Sequence, residues 1–363
     1  MKKEGNINMA IETVSVLSAQ EQAVIDGKKV WQGTAQVPFE RKNRSMNKRA
    51  LIGVLGLIVC LMLGQRGSAH ASEKGIGHYC PGTFASFIDT APTGLIVENI
   101  FYYYSGSAGA ERNIPIGTNL ASNVDVTSYA DVFVIAYGTP RGIRDGKFTF
   151  AATIPYVWTD ITAQLSGAKR TYTRRDRAEG LGDMMLVPFW LAWNRGEFKW
   201  DLRLDIYAPT GAYDKGDLAN VGLNYWTFEP IVSLNYFSKK FGLEVTAFAG
   251  MDFNTKNADI DYQSGDVFHL DLTVAEHLPL FDYGVVGVGV NAFYWRQFTG
   301  DSGSGTRLGS FEGRTQGIGP VLSYISPPLC GQTILAEVKW LPEMDTRNRL
   351  EGDHVWFKLV WAF

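Results

Sequence analysis

Runs of about ten residues that alternate apolar and polar side chains, a last run ending on an aromatic residue, and an apolar leader-like stretch ahead of Ser72 predict the fold class of this 363-residue chain. It is all-β: a transmembrane outer-membrane antiparallel β-barrel of about 12 strands, preceded by a cleavable signal peptide.

The N-terminal quarter divides by composition. Residues 1–45 are polar and mixed in charge and read as a disordered or non-native extension, which makes Met46 the expected start of translation, with Met9 the alternative. Lys48 and Arg49 precede the apolar run Leu51 to Gly64, and Ser68, Ala69, His70 and Ala71 follow it, the three-part grammar of an export signal cut between Ala71 and Ser72. Fourteen apolar residues rise only about 21 Å as a helix, short of a hydrocarbon core of roughly 30 Å, so the run is not read as a membrane span. Cys60 follows Leu57, Ile58 and Val59 rather than small residues, which argues against a lipid-modified cysteine.

Residues 1–71 hold ten Lys/Arg and five Asp/Glu, which leaves 24 basic and 32 acidic residues and a formal charge of about −8 on residues 72–363. A chain of that sign has no footprint for nucleic acid. Gly (39) and aromatic residues (13%) are abundant, as short turns and interfacial girdles require.

Strands are expected near 94–105, 122–138, 147–163, 181–194, 198–211, 224–237, 241–253, 262–278, 282–298, 314–326, 331–341 and 352–363. The last is the clearest: Val355, Phe357, Leu359, Trp361 and Phe363 share one face. In the fifth, Trp200, Leu202, Leu204 and Ile206 alternate with Lys199, Asp201, Arg203 and Asp205, and four charges cannot all face lipid. Pro230 cannot donate a ladder hydrogen bond, which predicts a bulge or kink able to open the wall of the sixth strand.

Connections alternate in length. Those at 194–198, 238–241 and 278–282 are tight and mark the periplasmic rim, whereas 105–121, 163–180 and 299–313 are long. Trp193, Phe198, Trp200, Tyr236 and Phe241 cluster beside the tight turns, where amphipathic rings meet headgroups.

Alternation places Tyr225, Glu229, Glu244, His269, Asp271, Phe293, Trp295, Glu337 and Lys339 inside the lumen, as candidates to line a substrate path. Lys199, Asp201, Arg203 and Asp205, with Glu229 and Glu244, are expected to form a salt-bridge network that stabilises the interior, in preference to touching substrate. Ser72 to Pro92, with Phe84, Phe87 and Ile88, is expected to fold into a twelve-stranded, narrow lumen from the periplasmic end as a plug, ahead of a barrel over 93–363. Cys80 and Cys330 are either one disulfide tethering that plug or two free thiols.

A barrel hydrolase with a Ser/His pair at the rim is the weaker alternative, and its candidates are poor. His269 and His277 lie eight residues apart on one strand, roughly 26 Å, with no serine placed beside either. His78, His269, His277 and His354 are too dispersed to read as a metal cluster, and no phosphate loop, dinucleotide fingerprint or other cofactor motif occurs.

Five motifs in order add a family. Gly180-Leu-Gly-Asp183, Ala208-Pro-Thr-Gly211, Asn220-Val-Gly-Leu-Asn-Tyr-Trp226, Arg296-Gln-Phe-Thr-Gly-Asp301 and Gly317-Ile-Gly-Pro320 each read singly as turn chemistry. With Gly75-Ile-Gly-His-Tyr-Cys-Pro-Gly82, the set over residues 72–363 resembles the outer-membrane proteins named for the meta-pathway of phenol degradation. The resemblance implies a channel that admits hydrophobic or aromatic small molecules, similar to the barrels for long-chain fatty acids and toluene-like compounds; a surface protein without transport is the alternative. The partners expected are outer-membrane lipid, the small molecule, and the barrel-assembly machinery through Phe363.

Overall fold

A strand whose side chains alternate lipid-facing and lumen-facing must satisfy every backbone group with its neighbours, and only a closed sheet does this in a bilayer. The computed structural model describes residues 77–109, 114–116, 119–143, 145–166, 171–306, 310 and 312–363. The expected extension, signal segment and Ala71/Ser72 cleavage site lie outside the described residues.

The strands are β1 (Gly94–Ala108), β2 (Ile114–Ile116), β3 (Asn119–Ile143), β4 (Gly146–Ser166), β5 (Thr171–Leu181), β6 (Met184–Arg195) and β7 (Phe198–Ala208), followed by β8 (Thr227–Phe237), β9 (Leu243–Asn254), β10 (Val267–Pro279), β11 (Val285–Gln297), β12 (Arg314–Ile325), β13 (Thr333–Arg347) and β14 (Glu351–Ala362). From β6 onward each pairs antiparallel with the next in sequence. Closure comes from β1, which pairs with β14 (Ile96↔Ala362 to Ser107↔Glu351) on one side and with β3 on the other.

Fourteen segments make twelve staves. β2 is a short ribbon on the upper end of β3. β4 pairs with β6 through Lys147 to Thr153 and with β5 through Tyr156 to Ser166, so β5 continues the position of β6 along one neighbour. The stretch 163–180, expected as a loop, is therefore largely strand: Arg175 and Arg177 pair with Asp160 across β4 and β5 at 2.6 and 2.7 Å. β3 and β4 run 25 and 21 residues, well beyond the roughly ten needed to span a bilayer.

No bulge falls at Pro230, although the β8 to β9 pairing skips Glu229 and Pro230. Pro230 sits opposite Leu204 in an unbroken β7 to β8 register, and the β8 to β9 register is the same on either side of it, from Phe228↔Phe253 to Ile231↔Gly250. Register shifts fall instead between Thr149 and Ala151 on β4 and between Leu186 and Phe189 around Pro188 on β6. Strands β8 and β10 also start later than the expected 224 and 262. Asn224 has a left-handed φ of 61°, and Tyr262 is held in a bridge to Asn257 rather than in the ladder.

Outward positions carry the apolar residues that alternation assigns to lipid: Val232, Leu234, Leu322 and Trp340 are each about half exposed. Near the tight turns Trp193 stacks on Trp200 and Phe198 packs on Tyr236, with ring centroids 6.4 and 5.0 Å apart. Gly196 (φ 65°) and Gly242 (φ 72°) supply the left-handed residues of two of these turns.

Candidate functional site

Residues 77–92 thread the lumen. His78 lies level with Thr227 at the long-loop end of β8, and the carbonyl of Pro92 approaches Thr149 near the short-turn rim. The segment thus runs the length of the barrel and leaves the lumen at the short-turn rim, where it enters β1. A single 3-10 turn, Phe87–Asp89, is closed by a capping box from Ser86.

Most polar contacts of the plug lie on one side, the exceptions being His78 to Asp183, between β5 and β6, at 3.0 Å and the Thr149 hydroxyl of β4 to the Pro92 carbonyl. Tyr79 donates to Asp271 of β10, Ser86 to Glu337 of β13 at 2.6 Å, and the Phe87 amide to Glu244 of β9 at 2.7 Å. Lys358 of β14 donates to the Thr83 carbonyl at 2.6 Å and pairs with Asp89, and Trp356 donates to the Pro81 carbonyl. Lys199 of β7 reaches Thr90 at 2.9 Å and the Ala91 carbonyl. Apart from those two exceptions, every one of these partners comes from β7 to β14, whose inward faces are polar.

The opposite wall is different. On β1, β3, β4 and β6 the inward residues are mainly aliphatic, and between them and the plug lies a cavity of about 310 Å³ lined by Ile100, Ala130, Val132, Val134, Val157 and Tyr102 among others. Charged and titratable groups border it too: Glu98, Arg203, Asp89, Asp183, Arg349, His354 and Lys358. The lumen is therefore split lengthwise: a polar half holds the plug and an apolar half is open.

The candidate residues from alternation are all buried inside the barrel: Glu229, Glu244, His269, Asp271, Phe293, Trp295, Glu337 and Lys339 on strands, and Tyr225 on the loop before β8. They are not one site. Glu244, Asp271 and Glu337 bind the plug; Trp295 lies under the Arg349 guanidinium, 4.3 Å from its ring centre; Tyr225 packs on His78 with ring centroids 5.1 Å apart. The single charge network expected of Lys199, Asp201, Arg203 and Asp205 with Glu229 and Glu244 is not seen. Arg203 pairs with Asp205 at 2.8 Å, Lys199 turns to the plug, and the buried carboxylate of Asp201 has no hydrogen bond. Cys80 and Cys330 are free thiols: Cys80 borders the cavity while Cys330 is exposed in the β12 to β13 turn.

A denser cluster forms where β8, β9 and β10 meet. One ligand-type atom each from Glu229, Asp252 and His269 lies within 4.8 Å of the others, and all three residues are buried. His269 was legible as inward, and alternation in the last strand set Lys358 on the face opposite Phe357 and Leu359, but the contacts of Lys358, Asp89 and Asp252 were missed, because a cross-strand or plug partner leaves no mark in the alternation.

A family described as "Putative MetA-pathway of phenol degradation" matches residues 110–359, more than two thirds of the chain. The chain belongs to this family. No curated protein matches it. Among solved structures, this chain is similar to the COG4313 outer membrane channel from Pseudomonas putida F1, with 14% identity over 79% of this chain and all of that one and a TM-score of 0.56. A FadL homologue from Pseudomonas aeruginosa gives 8% identity over 82% of this chain and 98% of that one at a TM-score of 0.39. The closed twelve-stave wall, its apolar outer face and the family place the protein in the bacterial outer membrane.

Proposed function

We propose that this protein is an outer-membrane channel for hydrophobic small molecules, aromatic ones among them. The observation that carries this reading is the apolar half-lumen. A cavity of about 310 Å³ between the plug and an aliphatic wall is at the lower end of small-ligand sites and offers little to a hydrated ion. An aromatic ring entering it gains about 25 cal/mol for each Å² of apolar surface removed from water. A plug bonded to the polar half leaves the apolar half as the path. The fold shared with the channel from Pseudomonas putida F1 supports a channel, the family name is the only pointer to aromatic solutes, and neither bears on the path.

The test is uptake of a labelled substituted phenol into vesicles whose outer leaflet carries lipopolysaccharide, which slows passive entry. The full chain should give saturable uptake above protein-free vesicles. Val134→Trp, which fills the cavity from β3, should lower it by about tenfold while leaving the barrel folded. Absence of flux from both the full chain and a variant lacking residues 77–92 would overturn transport and favour a surface role for the long loops.

A further inference from the structure

We propose that Glu229, Asp252 and His269 form a binding site for one divalent transition-metal cation of the zinc class, which fixes the plug to the wall through His269. The inference stands apart from the transport reading.

The first observation is charge. Extending the register from Phe228↔Phe253 sets Glu229 of β8 directly opposite Asp252 of β9, both inward. Like charges facing each other across two strands repel, and here both are sealed, at 0% and 2% exposure. The nearest other charges are committed: Arg203 pairs with Asp205 and Asp271 receives the Tyr79 hydroxyl. An imidazolium at His269 neutralises one of the two carboxylates, and the second must then either take a proton or stay charged in a dry interior at a cost of several kcal/mol. A divalent cation bound by a neutral imidazole neutralises both.

The second observation is geometry. His269 Nε2 lies 2.8 Å from Glu229 Oε1 and 3.6 Å from Asp252 Oδ1. Tetrahedral zinc with bonds of about 2.0 Å holds its ligand atoms about 3.3 Å apart, between these two separations. His269 Nε2 stands at ion-pair distance from Glu229, while His269 Nδ1 and Asp252 Oδ1 have no hydrogen-bond partner, so the three side chains meet at one place without saturating one another. The Tyr207 hydroxyl closes the cluster from the Glu229 side.

The third observation is the room made for the ring. Gly250 of β9 lies opposite His269, and a Cβ there would stand 2.2 Å from Nε2. Any larger residue would expel the imidazole from the point where the carboxylates meet. On its outer face the same imidazole carries the plug: Tyr79 stacks on it at 3.7 Å between centroids and 15° between planes. A bound cation would hold that ring rigid, and Tyr79 with it.

The site is enclosed, so the metal is best loaded as the barrel folds. Tag-free full-length protein should be refolded with Zn²⁺ or Co²⁺, exchanged into metal-free buffer and assayed for metal content and for the visible absorption of four-coordinate Co²⁺. One equivalent per chain is expected, lowered at least tenfold in both Asp252→Asn and His269→Gln and unchanged when Cys80 and Cys330 are replaced by serine. Retention of the compact form on unheated gels reports folding, and either variant alone suffices. Less than a tenth of an equivalent in the parent, or equal binding by the folded variants, would overturn the proposal.

Discussion

Burial makes the Lys358 ammonium and the Asp89 carboxylate dependent on each other, since each would otherwise be an uncompensated charge inside the barrel. Lys358→Met should cost about 3–5 kcal/mol in denaturant unfolding from micelles, and adding Asp89→Asn should recover more than half of it. A double variant no more stable than the single one would show that the pair is not what holds the plug. At Cys80 burial again decides: it pushes the thiol up to about 11, outweighing the Tyr102 hydrogen bond and the Arg349 charge that pull the other way. At pH 8 roughly one Cys80 in a thousand is thiolate, and the reactive fraction rises tenfold per pH unit until about 11. Maleimide at pH 8 should therefore label exposed Cys330 and spare Cys80. With Cys60 and Cys330 both replaced by serine, the label should appear only after Lys358→Met loosens the plug.

At the scale of elements, the plug and the β7 to β14 face are complementary. Deleting residues 77–92 should give a barrel that still inserts but conducts ions in planar bilayers several times better than the parent, because Glu244, Asp271, Glu337 and Lys358 would then face water. Unchanged conductance would mean that the segment does not occlude the lumen. The β9 to β10 pair makes a narrower prediction. Gly250→Ala should destabilise the folded barrel by about 1–3 kcal/mol, read as a lower temperature of loss of the compact form on gels, since the added Cβ and the His269 ring cannot both keep their places. How far such features are legible in sequence varies by strand. In β7 the four charges force one face inward, and the structure agrees: Asp201, Arg203 and Asp205 are buried while Leu202 faces out. In β3 both faces are apolar, with Val132 and Val134 inward and Phe133 and Ile135 outward, so the pattern gives period two without saying which face meets lipid.

For the whole molecule, the bilayer sets the penalty by depth. Val232 is mid-strand on the lipid face of β8, and Phe198 begins β7 at the short-turn rim. Val232→Arg should cost about 2–4 kcal/mol in folding into lipid vesicles, and Phe198→Arg about 0–1. Equal costs would mean that the rim assigned by turn length is not the membrane boundary. The same depth argument explains why β3 and β4 outrun expectation: beyond the headgroups water can satisfy a strand edge, so nothing in the lipid requirement stops the hairpin where the bilayer stops.

The sequence by itself determined the all-β class, the twelve wall positions, the short-turn rim and the inward set from Glu229 to Lys339. Each follows from a period of two and from turn residues, which are local properties of a strand. The tertiary structure alone decided that the polar half of the wall grips the plug, that the apolar half stays open, and that Glu229, Asp252 and His269 meet. Those facts depend on register between strands 17 to 40 residues apart and on a lumen segment that belongs to no strand. Alternation tells which way a side chain points and is silent about what stands opposite.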